Sequence, residues 1–198
     1  MITRVSATIT KWLLNSGAIS ENDRELYEYA AYSFLFSLLP LCLVVILGCI
    51  TGMVVEGLLM ILPFILIRKF SGGFHLKSST ICLVSSTLLL SLFLLIIKTV
   101  TTKESTIIFT CFVIASSIQV FLCSPIDNEA RKLNKRESSA FKKVARTMSA
   151  MFLILYIGLL FFGQVQFATP VGAGIILTAL LQIPCFFTKK KPGETKTA

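Results

Sequence analysis

The chain has 198 residues, 55% of them apolar and only 15% charged, with a mean hydropathy of +0.81. That balance excludes an ordinary soluble domain and points to a single integral membrane domain spanning 1–198. The net charge of +9 does not call for a nucleic-acid partner, because the basic residues fall in short gaps between apolar runs, where they orient membrane spans. No cleavable leader is expected, since the first apolar run begins near Ser33, behind Glu21, Asp23, Glu25 and Glu28.

Residues 2–16 set Ile2, Val5, Ile9, Trp12, Leu13 and Ser16 at helical spacing, with Lys11 and several threonines opposite. The segment is too polar to span a bilayer, so the expectation is an N-terminal amphipathic interfacial helix anchored by Trp12. A helix packed on the protein fits the same pattern. Gly17 is its expected stop, and Ser20 with Asp23 resembles a capping box that restarts a helix.

From Ser33 to Ile67 run 35 mostly apolar residues, interrupted by Gly48, Gly52 and Glu56. One straight helix would be about 52 Å long against a hydrocarbon core of roughly 30 Å. A hairpin of spans at 33–49 and 53–67 fits better, turning at Gly48–Gly52. The same glycines form a G-x-x-x-G, which elsewhere brings helices together; a turn is the preferred reading. Pro40 and Pro63 are candidate kinks.

Further apolar runs at 80–97, 105–123, 148–163 and 169–187 complete an all-α, polytopic plan of six transmembrane helices. The N-terminus, the 68–79 loop, the 124–147 loop and the tail then share one side and hold 17 of the 19 Lys and Arg; only Lys98 and Lys103 lie opposite. Fusing the first two spans would weaken the split to 14 against 5. The asymmetry therefore predicts cytoplasmic termini in the cell membrane.

Cys42, Cys49, Cys111, Cys123 and Cys185 lack paired spacing and read as small hydrophobes. Cys82 differs by its surroundings, the polar break R-K-F-S-G-G-F-H-L-K-S-S-T-I-C at 68–82, which contains the sole histidine, His75. Ser78, Ser79 or Thr80 can open the next helix, setting Cys82 in or just past its first turn, where the helix dipole favours a thiolate. Arg68, Lys69 and Lys77 add positive charge, and His75 is the only imidazole able to take the proton. On one straight helix the pair would stand about 10.5 Å apart along the axis, beyond hydrogen-bond reach. Cooperation therefore requires a fold-back, which Gly72 and Gly73 permit; their amides are also oxyanion candidates. With one histidine and scattered carboxylates, neither a metal site nor a cofactor is expected. The competing reading is a juxtamembrane loop with an interfacial histidine.

The 124–147 loop is the largest polar element and attracts anionic lipid or an acidic partner. Arg131, Lys132, Lys135 and Arg136 are its docking candidates.

R-K-F-S-G-G-F-H, followed seven residues later by Cys82, resembles the signature of the accessory gene regulator B family, membrane cysteine endopeptidases of Gram-positive bacteria. S-P-I-D-N-E at 124–129 resembles the family's second recognisable stretch, its Pro-x-Asp matching Pro125 and Asp127. The resemblance covers essentially the whole chain. It implies that His75 is the base, Cys82 the nucleophile, and Arg68 and Gly73 supporting positions. The implied substrate is a short quorum-sensing propeptide with an acidic C-terminal tail. Cys82 would form a thioester that an internal Cys or Ser displaces to close a thiolactone or lactone. A homodimer is also implied. Asp127 is the candidate third group to orient His75, although capping or pairing with Arg131 fits it equally. The alternative from another class is a non-catalytic permease or scaffold for a peptide.

Overall fold

The computed structural model describes residues 2–71, 79–100, 102–125 and 135–188, with backbone alone at 2, 33, 36–37, 79–83, 135–138 and 186–188. Among the described residues the chain is all helical, with no strand. The helices are α1 (Ile2–Asn15), α2 (Arg24–Thr51), α3 (Val54–Ser71), α4 (Ser79–Thr99), α5 (Lys103–Cys123), α6 (Lys135–Phe161), α7 (Val165–Leu180) and α8 (Ile183–Thr188). Among the described residues three candidate spans are long and apolar enough to cross a membrane: Lys103–Cys123, Ser139–Phe161 and Val165–Cys185. Shorter apolar stretches cover Leu38–Thr51 and Val84–Thr99.

The α2–α3 hairpin forms where length demanded it, and its two glycines divide the work. Gly52 is the left-handed C-cap at φ 72°, a conformation a Cβ would strain, and Met53 N–H returns to the Gly48 carbonyl at 2.9 Å. Gly48 is helical and lies where a Cβ would come within 2.8 Å of Val54 Cα. The G-x-x-x-G is therefore a turn at one end and a close backbone approach at the other.

Other boundaries depart from the sequence expectation. Ser20 does not cap a backbone amide; its hydroxyl donates to Asp23 Oδ2 at 2.7 Å, and one 3₁₀ turn leads into α2. The basic loop is shorter than expected because Lys135 onward is already helical: Lys, Glu, Arg and Ala here are good helix formers and extend α6 backwards. The last span breaks at Leu181–Gln182, since Pro184 has no amide to offer the Leu180 carbonyl.

Helix α7 is the axis of the bundle, packed against α3, α5 and α6. Its small residues allow this. A Cβ at Gly174 would run into the Met60 carbonyl and lie 2.5 Å from Pro63 Cγ, and one at Gly172 would lie 2.7 Å from Val113 Cγ2. Around it the fully buried Met60, Ile61, Val113, Tyr156, Ile175 and Leu177 form the core. Polar pairs cross the same interfaces: Thr110 Oγ1 and Tyr156 OH at 2.8 Å, and Ser117 Oγ and Ser149 Oγ at 3.0 Å. Outside, Leu88, Ile107, Phe112, Ile154 and Phe161 are exposed, an apolar exterior suited to lipid and not to water.

These contacts fix directions. Thr110 with Tyr156 and Ser117 with Ser149 make α5 and α6 antiparallel. Gln119 donating to the Ala179 carbonyl at 2.9 Å, beside Val113 at Gly172, makes α5 and α7 parallel. Gly48 lies at Val54 and Gly57 at Val44, so α2 runs against α3; Glu56 beside Gln166, with Gly174 at Met60, makes α3 and α7 parallel. The ends of α3, α5 and α7 therefore gather at one end of the bundle, and the 52–53 turn and the 162–164 turn at the other.

Candidate functional site

The end of the bundle where α3, α5 and α7 finish carries the described parts of both sequence motifs. Arg68 lies in the last turn of α3, not in a loop, because the helix continues to Ser71. Its guanidinium carbon sits 5.6 Å from the centroid of the Phe64 ring, one turn back, and the side chain is half-buried. Phe70 of the same turn meets Phe141 of α6 at 5.8 Å between ring centroids, so the motif's helix end is braced against the start of the basic helix. Helix α4 is described from Ser79 onward, and the backbone of Cys82 lies on it.

Gly72, Gly73, His75, Lys77, Asp127, Arg131 and Lys132 lie outside the described residues, as does the side chain of Cys82. Lys135 and Arg136 are placed by backbone in the first turn of α6. Ser124 and Pro125, which open the Pro-x-Asp stretch, are described; Ser124 is buried and follows directly on α5.

Two features were missed in reading the sequence. Gln182, at 0% exposure, donates from Nε2 to Ser124 Oγ at 3.1 Å. Arg146 donates from Nε to the Phe121 carbonyl at 3.0 Å and stacks 4.8 Å from that ring's centroid. Gln182 was open to discovery, as the one amide inside an otherwise apolar run. Glu56 follows the 52–53 turn, at the opposite end from Arg68, and lines a shallow cleft of about 400 Å³ with Cys49 and Gln166. That cleft holds neither motif. Among the described residues no three His, Cys, Asp or Glu gather as a metal site would need.

Against known proteins, the model of the accessory gene regulator B family matches residues 6–186. The chain is 28% identical over 82 residues to "Putative AgrB-like protein 2" of Clostridium perfringens strain 13, covering 41% of this chain and 38% of that one. It is 27% identical over 82 residues to "Putative AgrB-like protein" of Clostridium perfringens strain SM101, with the same coverage of 41% and 38%. The aligned stretch thus spans well under half the length of these curated relatives. No solved structure matches. With the family model covering nearly the whole chain and an apolar helical bundle beneath it, the chain belongs to the accessory gene regulator B family of membrane proteins.

Proposed function

We propose that this chain is a membrane-embedded cysteine endopeptidase that cleaves the C-terminal part from a quorum-sensing propeptide. Family membership implies a part in processing such peptides; the catalytic assignment goes further. Its main support is the match of the family model over residues 6–186, which takes in the whole Arg68–Cys82 stretch.

In this reading His75 takes the proton of Cys82, and the thiolate attacks the scissile carbonyl. The C–N bond breaks, the proton passes to the leaving amine, and the acidic tail departs with a new N-terminus. The N-terminal part remains as a thioester on Cys82. A Cys or Ser side chain within that part then attacks the thioester, regenerating the Cys82 thiol and closing the ring. Water has to be kept from the acyl-enzyme, because hydrolysis would release a linear product. The Gly72 and Gly73 amides are oxyanion donors, Asp127 orients His75, and Arg131, Lys132, Lys135 and Arg136 attract the acidic tail. The six-span plan with both termini cytoplasmic belongs to the same proposal, as do the interfacial placement of α1 and assembly with a second copy. Its test is expression of the chain with the propeptide encoded beside it. Cys82→Ala and His75→Ala should insert normally and cleave nothing; processing at the normal rate by either would end the catalytic reading.

A further inference from the structure

Gln182 sits in the short break between α7 and α8, wholly enclosed, in a position where an apolar side chain would pack at no polar cost. Its Nε2 donates to Ser124 Oγ at 3.1 Å, and its buried Oε1 has no hydrogen-bond partner among the described residues. Exchanging the amide oxygen and nitrogen leaves the conclusion unchanged: one polar atom faces Ser124 and the other is unsatisfied. An unsatisfied buried acceptor is destabilising, so stability alone does not account for an amide here.

The bond crosses 58 residues of sequence and ties the end of α7 to the residue that follows α5. One turn away, Gln119 Nε2 donates to the Ala179 carbonyl at 2.9 Å, a second amide strut between the same helix ends. The level of this junction follows from the parallel packing of α3 and α7. Gly174 rests on Met60 and Pro63. Eight residues further, about 12 Å along each helix, α7 reaches Gln182 and α3 reaches Arg68–Ser71. Gln182 therefore stands level with the helix end that carries Arg68.

We propose that Gln182 is a positioning residue for the reaction. Its amide holds Ser124, and with it the entry to the Pro125-x-Asp stretch, at a fixed height beside the Arg68 end of α3. It touches neither substrate nor reacting atoms and acts through Ser124. This rests on the peptidase reading above.

The test uses the full-length protein in nanodiscs and a synthetic copy of the adjacent propeptide. It follows single-turnover acylation of Cys82, with functional protein counted by thiol titration. Gln182→Met keeps the volume and removes the amide; Ser124→Ala removes only a hydroxyl and is the milder probe. Each should slow acylation about tenfold with half-saturation by propeptide unchanged, as expected for a displaced site element. The double variant should be no slower than the single ones, because both delete one interaction. A purely structural role would lower the amount of functional protein and leave the rate per functional molecule intact; that result overturns the proposal. So do losses that multiply in the double variant, or a change in half-saturation alone. A wild-type chain that forms no acyl-enzyme would sink the peptidase reading itself. Wild-type acylation with an equally fast Gln182→Met variant would sink only the role of Gln182.

Discussion

A methyl group on Gly174 would meet the Met60 carbonyl oxygen and come within 2.5 Å of Pro63 Cγ, and both neighbours belong to a packed helix that cannot swing aside. Gly174→Ala should therefore lower stability by about 1–3 kcal/mol, an overpacking cost. Gly158 is the control: no atom lies within 4 Å of a Cβ there, so Gly158→Ala should be neutral or gain up to about 1 kcal/mol from helix propensity. Reversible unfolding in mixed detergent micelles reads both. The interhelical bond from Tyr156 to Thr110 is smaller, and Tyr156→Phe should cost about 0.6 kcal/mol by the same assay. At this scale the sequence was most legible where chemistry is rare. One histidine, a following cysteine and a double glycine single themselves out from composition alone. Gly174 and Gln182 did not, because a glycine or amide in an apolar run acquires meaning only from the neighbouring helix, which spacing along one chain does not reveal.

Helix α1 illustrates what an element hides until it is packed. The sequence offered two readings, on lipid or on protein, and one face of the helix packs on α2 while the other stays exposed. Ser6 and Thr10, one turn apart, are buried against the bundle, while Val5, Ile9 and Trp12 are left exposed, Trp12 by 67%. Threonine and serine could be buried here because each hydroxyl bonds a carbonyl of its own helix, Ser6 to Thr3 and Thr10 to Ser6, both at 3.0 Å. An apolar face turned away from the protein suits a bilayer surface. Trp12 is the only tryptophan, so its fluorescence reports on α1 without interference. In vesicles it should be quenched strongly by lipids brominated near the headgroup and weakly by acrylamide; strong acrylamide quenching would place α1 in water. Helix starts and stops were read well where a glycine decides them, at Gly17 and Gly52, both at φ 72°. They were misread where a proline acts at a distance, as Pro184 does on Leu180, or where a charged stretch is itself a good helix, as at 135–147.

At the scale of the molecule, α2 runs against α3 and α6 against α5 and α7, so the 52–53 and 162–164 turns fall at the end away from Arg68. Lys98 and Lys103 flank one connection at the end away from Arg68, while Arg68, Lys69, Lys142, Lys143 and Arg146 cluster toward the other. That segregation is what the charge pattern of the sequence implies, because positive-inside sorting acts on loops and the loops of these antiparallel helices sort by end. Under the proposed topology, cysteines introduced at Gly163 and at Lys142 in a cysteine-free background should react from opposite sides of the membrane. Labelling of both from outside the cell would refute the plan.

The proposed acyl-enzyme is covalent, so it shows in the mass of the intact protein after exposure to its propeptide. Wild-type chain should gain the mass of the N-terminal fragment less one water, on the peptide that contains Cys82, and lose it on treatment with hydroxylamine. Cys82→Ala should gain nothing and release no tail. An adduct on one of the other five cysteines, or released tail from the Cys82→Ala chain, would contradict the account.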